Sequence, residues 1–281
     1  MQIDRLHALR RPLAFVLPGG GALAAYQVGV LDALTNAGLR PDRLIGVSAG
    51  AMNAAFYAWA SDADGIRRLE KIWASVRRRD LLRVEPWRLA LALAGKRSSF
   101  LDNRHGVAFL RRHLGVRQIE LAPIPLSIIT TDLGTGRPYV IDSGDVVSAI
   151  VASSAFPGVF PPVEIGGRSL IDGGVVADVP LDVAAEMGAA SVIVVTVPAL
   201  APTPVPRHPV SVVLRSSTWG VEAHGRTTVA RPPQGLEVVE IPSRPSAITT
   251  FDVNSAATTI VEAREYTNAW LHSEESSVTS Q

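Results

Sequence analysis

Short apolar runs alternate along this chain with longer stretches whose apolar side chains recur at helical spacing. Residues 13–17, Leu-Ala-Phe-Val-Leu, are apolar without interruption, as a strand buried on both faces requires, and they stop at Pro18 and Gly19-Gly20-Gly21. Residues 22–37 follow with Tyr26, Val30, Leu31 and Leu34 on a helical period, and Gly38 supplies the C-terminal stop. A turn at Pro41-Asp42 leads to a second strand at 43–47, then to helices at 49–60 and 64–78. The latter is amphipathic, with Ile66, Leu69, Ile72, Trp73 and Val76 on one side and a basic tail at 77–79.

Residues 86–95, Pro-Trp-Arg-Leu-Ala-Leu-Ala-Leu-Ala-Gly, are apolar around nearly the whole circumference. That suits a buried helix, or a lid or interfacial element with Trp87, Arg88 and Lys96 near lipid headgroups. Further on, 103–114 reads as a helix, 126–131 as a core strand, and Asp132-Leu133-Gly134-Thr135-Gly136 as a turn back into 139–141. A helix at 145–153 runs into Phe156-Pro157-Gly158-Val159-Phe160-Pro161-Pro162, where the prolines forbid continuation. Strands at 163–165 and 169–171 flank Gly166-Gly167, and the second leads into Asp172-Gly173-Gly174. A helix at 180–187, a β-branched strand at 191–197, a proline-rich surface connection at 198–209, a helix at 210–229, a strand at 236–241 and a helix at 255–272 complete the pattern. In the last helix Ile260, Val261, Ala263, Tyr266 and Trp270 are candidates for the core.

This alternation predicts an α/β fold, a three-layer α/β/α sandwich around a mainly parallel central sheet. There is no internal repeat, and 281 residues fit one large domain, expected over 1–272 with a polar, disordered tail at 273–281. The charge balance, 27 basic against 26 acidic residues, shows no dominant basic cluster, which argues against a nucleic-acid partner. No cysteine is present, so disulfides, thiol catalysis and the usual zinc clusters are excluded, and nothing in the chain requires a metal or cofactor. Without a secretory-type N-terminus or an apolar run long enough to span a bilayer, a soluble, cytoplasmic protein is expected. The mean hydropathy of +0.22 leaves room for peripheral membrane contact.

The candidate chemistry centres on Gly46-Val47-Ser48-Ala49-Gly50. A Gly-x-Ser-x-Gly turn between a strand and a helix is the signature of a nucleophile elbow, with the Ser48 hydroxyl held clear of the sheet and Gly46 and Gly50 giving the helix room. A serine nucleophile needs a base and preorganised donors for its oxyanion. The backbone amides of Gly20, Gly21 and Ala22, at the start of the first long helix, are candidate donors, joined by the amide of Ala49. Two kinds of base are open. His208, His224 and His272 lie where a Ser-Asp-His triad would want its histidine, but in a link, a helix and a frayed end. Asp172 follows an apolar strand and precedes Gly173-Gly174, so its carboxylate can project from a tight turn at a sheet edge.

Glycine-rich turn, Gly-x-Ser-x-Gly and Asp-Gly-Gly, in this order, resemble the patatin-like phospholipase family. Residues 152–162 and Thr131-Asp132-Leu133 also look like family segments, and the resemblance covers roughly 13–197. It implies a patatin-like α/β fold and a lipid acyl hydrolase working with a Ser-Asp dyad and no catalytic histidine. By position Ser48 matches the family nucleophile, Asp172 its base and Gly19-Gly20-Gly21-Ala22 its oxyanion turn. The implied substrate is a phospholipid or other lipid ester. Where the family commonly continues with a basic residue and a glycine, this chain has Leu23 and Ala24. The backbone donors survive that change, but a cation for an anionic substrate is lost. Two other classes fit parts of the chain: a patatin-like scaffold that binds lipid or a partner without turnover, and a dinucleotide-binding turn at residues 19–24. The second wants an acidic residue at the end of the second strand, where this chain has Ser48.

Overall fold

The computed structural model describes residues 1–77, 85–199, 205–244, 250 and 252–274. Most of the basic tail at 77–79, part of the proline-rich link, and residues 275–281 of the expected tail lie outside them.

Eight strands form one sheet: β1 (Leu13–Leu17), β2 (Arg43–Val47), β3 (Leu126–Asp132), β4 (Arg137–Ile141), β5 (Val163–Ile165), β6 (Arg168–Asp172), β7 (Ser191–Val194) and β8 (Glu237–Glu240). The order is β5-β6-β3-β2-β1-β7-β8, with β4 also on β3. β8, β7, β1, β2 and β3 run parallel, while β4, β5 and β6 pair antiparallel. Every residue of β1 is buried because both faces are covered, which is why its sequence does not alternate. Leu13, Phe15 and Leu17 face one apolar core; Ala14 and Val16 face the other.

The first layer of helices comprises α1 (Gln2–His7), α2 (Ala25–Asn36), α3 (Ala49–Trp59), α4 (Ala63–Ser75), α6 (Arg104–Leu114), α7 (Val146–Ser153) and α11 (Ala256–Leu271). On the opposite face lie α8 (Gly174–Ala177) and α9 (Leu181–Glu186), with α10 (Pro209–Ala230) crossing the cavity described below. Between α4 and α6 is α5 (Pro86–Leu93). The expected three-layer α/β/α arrangement is therefore present.

Three expectations are corrected. The helix expected from residue 22 begins instead with a 3-10 turn, Gly21–Ala24, because Gly20 and Gly21 have φ of 148° and 57° and the Ala22 amide bonds outside the helix, to the Thr250 carbonyl. The α5 segment is not a core helix at its described positions: Trp87 is 50% exposed and is covered by the Arg97 guanidinium, 5.1 Å from its ring centre. Val261 of α11, expected in the core, is instead exposed.

Sheet register brings the two ends of the chemistry together. β2 pairs with β3 only as far as Val47 opposite Ile129. β3 continues to Asp132, and since β4 occupies its other edge, β6 takes the edge β2 has left, with Asp172 opposite Thr130. Asp172, the last residue of β6, thus lies beside Ser48, the first residue after β2.

Candidate active site

Ser48 has φ 52° and ψ −124° and is the single non-glycine residue with positive φ among the described residues. Such a conformation costs on the order of 1–3 kcal/mol and persists only where the surroundings impose it. They do so through close approach: a Cβ on Gly50 would collide with the Leu17 and Pro18 carbonyl oxygens, and one on Gly46 would stand 2.5 Å from Ala51 Cα. The strained amide of Ser48 is satisfied by Ser153 Oγ at 2.8 Å, which in turn donates to the Ile129 carbonyl at 2.6 Å.

The Ser48 hydroxyl donates to Asp172 Oδ2 at 2.7 Å. Asp172 Oδ1 accepts the Gly174 amide at 2.8 Å, and its backbone carbonyl accepts from Thr131 Oγ1 at 2.9 Å. The carboxylate is buried, and burial pushes its pKa up to about 6 against the opposing pull of its two donors. A carboxyl poised there is ionised at neutral pH yet a far better proton acceptor than an ordinary aspartate. His208, His224 and His272 are all exposed, and none of the six histidines lines the cavity that holds Ser48.

Gly19, Gly20, Gly21 and Ala22 pass alongside Ser48, and Ala49 opens α3 directly after it. The four expected donors are not equivalent. The Ala22 amide is already engaged by the Thr250 carbonyl at 2.8 Å, so it is not a free donor. No described residue accepts from the amides of Gly20, Gly21 or Ala49. Gly173 donates to the Ser153 carbonyl at 3.3 Å, which keeps the Asp-Gly-Gly turn against α7.

These groups line a cavity of about 490 Å³. Its walls are mainly apolar, with Leu23, Met52, Trp73, Phe109, Ile150 and Phe160 contributing. Leu23, in the position of the missing cation, is therefore part of an apolar wall.

The sequence profile of the patatin-like phospholipases matches residues 15–185, more than half of the chain. This chain belongs to the patatin-like phospholipase family. A relative from Rattus norvegicus, patatin-like phospholipase domain-containing protein 7, is 33% identical over 187 residues, 66% of this chain and 13% of its own length. An uncharacterised NTE family protein of Mycobacterium bovis is 32% identical over 172 residues, 60% of this chain and 44% of its own. The chain thus spans less than half the length of these relatives. Among solved structures, human GIVD cytosolic phospholipase A2 with methyl gamma-linolenyl fluorophosphonate aligns with a TM-score of 0.43 and 12% identity, over 96% of this chain and 61% of that one.

Within this patatin-like frame, three sets of residues escaped the sequence reading. Ser153 supports the strained amide of Ser48; the only signal was its place in the Ala152–Ala155 segment. Gln27, Asn53 and Trp73 form a buried chain of hydrogen bonds from the Pro18 and Ala24 carbonyls to α4: Gln27 to Pro18, Asn53 to Ala24 and to Gln27, and Trp73 to Asn53, all 2.8–2.9 Å. Their signal was two amides inside otherwise apolar helices. Asp178 is buried and accepts the Gly19 amide at Oδ1, 2.9 Å away. Nothing in the sequence distinguished it from a surface acid.

Proposed function

We propose that the protein is a serine acyl hydrolase of lipid esters. Ser48 is the nucleophile, Asp172 the general base, and the amides of Gly20, Gly21 and Ala49 the oxyanion donors. The observation that carries this reading is the 2.7 Å hydrogen bond from Ser48 Oγ to a buried carboxylate on the floor of an apolar cavity. Asp172 takes the Ser48 proton as Oγ bonds to the ester carbonyl carbon, and the backbone amides receive the developing charge. Collapse breaks the bond to the alcohol, which leaves with the proton held by Asp172, and water then releases the acyl group by the same steps. The apolar walls suit an acyl chain, and burial of the chain would displace water from the reacting centre.

Substrate class is read from the cavity and from the family, in which relatives named as phospholipases and lysophospholipases occur. Among the described residues no helix is long and apolar enough to cross a membrane. A single domain over 1–272 is part of the same proposal.

The test is hydrolysis of a panel of nitrophenyl esters and phospholipids by the wild type, Ser48→Ala and Asp172→Asn. Each substitution is expected to lower kcat at least about a thousandfold with the fold intact. Ester hydrolysis that survives either change would overturn the dyad. Labelling of Ser48 by a fluorophosphonate separates turnover from a scaffold that binds lipid without reacting. For the wild type, kcat/KM is expected to rise through about pH 6 as Asp172 ionises and to level off above it.

A further inference from the structure

The dyad leaves one buried carboxylate without a task. Asp178 follows α8, is 9% exposed, and reaches the cavity beside Ser48 and Asp172. A Cβ built on Gly174 would lie 3.2 Å from Asp172 Oδ1 and 3.2 Å from Asp178 Oδ1, so the two carboxyls flank one glycine. They hold different things. Asp172 holds the Ser48 hydroxyl, whereas Asp178 holds the amide of Gly19, the residue just before the two free amides of the glycine turn.

That turn needs an external restraint. Gly20 and Gly21 adopt φ of 148° and 57°, and with no side chain neither enforces its own conformation. The structure supplies restraints on either side: the Thr250 carbonyl takes the Ala22 amide, and Asp178 takes the Gly19 amide. A Cβ on Gly19 would fall 3.0 Å from Asp178 Oδ1 and 3.1 Å from Ser48 Cβ, so the same peptide touches both the anchor and the nucleophile.

Resting on the dyad reading above, we propose that Asp178 is a positioning residue that fixes the glycine turn relative to Ser48, so that the Gly20 and Gly21 amides meet the oxyanion. It acts through Gly19. Its proton state does not decide this role, because a carboxylate and a neutral carboxyl both offer an oxygen to the Gly19 amide. Charged groups that line the same cavity are Asp172 from β6, the paired Glu222 and Arg226 from α10, and Glu240 at the end of β8, of which Asp172 acts on it. Burial pushes Asp178 up to about 7, the Gly19 bond opposes this, and the charge of Asp172 adds to it. Asp172, with two donors, ionises first and keeps its role as base.

The experiment compares Asp178→Ala, which removes the acceptor, with Asp178→Asn, which keeps an Oδ1 acceptor without charge, both in the full chain. The alanine variant is expected to lose about 10- to 100-fold in kcat on a soluble nitrophenyl ester while KM moves less than about threefold. The asparagine variant is expected to stay within about threefold of the wild type. In parallel, hydrogen exchange at the Gly19 amide should speed up in the alanine variant and not in the asparagine variant. Asp178→Leu, which fills the space without an acceptor, serves if the alanine variant does not fold. A wild-type kcat and wild-type Gly19 exchange in the acceptor-free variant overturn the proposal, as does an asparagine variant as impaired as alanine. If the wild type hydrolyses no ester, the dyad reading fails, and the Gly19 exchange rates alone decide whether Asp178 is the anchor.

Discussion

The floor and the roof of the cavity are built to different standards. On the floor, β1, β2 and α3 meet with no room to spare: Phe15, Leu17, Leu44 and Ile45 have no exposed surface, and helix and strand touch backbone to backbone at Gly46 and Gly50. The roof is α10, 22 residues long, which meets the body around Gly225, where a Cβ would lie 3.2 Å from Val179 Cγ2. Val212, Val213 and Trp219 on this helix are exposed. Floor residues fall inside the family match at 15–185; α10 lies beyond it. The difference has a chemical reason. On the proposed mechanism a nucleophile and its oxyanion donors work only at fixed separations, so their supports must resist displacement, whereas a wall that would merely shape the entry of a flexible chain can give.

The hardest blow to this contrast is one methyl group at the floor. Gly50→Ala puts a Cβ against two backbone carbonyl oxygens, Leu17 and Pro18, neither of which can move without shifting β1. We expect a loss of about 3 kcal/mol or more, or failure to fold, measured by urea unfolding. A variant as stable as the wild type would mean that α3 is free to slide and the floor is not rigid.

A second, smaller effect tests what the rigid floor does to Asp172. Its pKa is raised from an ordinary aspartate value to about 6, so between those values the folded state binds more protons than the unfolded one. Stability from this group is therefore greatest at low pH and falls as pH rises through that window. Asp172→Asn removes the penalty, at the expense of the proposed base. The difference in stability between variant and wild type should widen in the variant's favour from pH 4 to pH 7, by on the order of 2 kcal/mol at the top. Melting curves across that range check it; a difference independent of pH would show that burial of the carboxylate costs the fold nothing.

The floor was also the legible part of the sequence. The unbroken apolar run of β1, the glycines after it and the Gly-x-Ser-x-Gly turn are local patterns, and local patterns survive without coordinates. That Asp172 meets Ser48 depends on β3 outrunning β2 so that β6 can fill the vacated edge, a fact of long-range register that no spacing encodes. Asp178 was invisible for the same reason, since its partner Gly19 is remote in sequence. The Ala22 amide was misjudged because a helix start normally leaves its first amides free, and here the Thr250 carbonyl takes one. At α5 the periodicity was uniform, and only the described exposure of Trp87 shows that an all-round apolar helix need not lie in the core.

The gentlest test sharpens the roof. Val221 lines the cavity from α10, and its Cγ1 would stand 3.7 Å from a Cβ built on Gly174, directly across from the Asp172 turn. Val221→Trp adds bulk to a wall of a cavity of about 490 Å³ and leaves Ser48, Asp172 and the glycine turn unsubstituted. Because α10 has much of its surface in solvent, the helix can shift outward, and the cost to stability should stay within about 1 kcal/mol. What changes is the space for a long substrate: KM for long-chain esters is expected to rise about three- to tenfold, with kcat for acetyl or butyryl esters within about twofold of the wild type. Chain-length series for the two proteins read this directly. Equal losses on short and long esters, or a destabilisation matching that of Gly50→Ala, would place α10 in the rigid frame and erase the distinction between roof and floor.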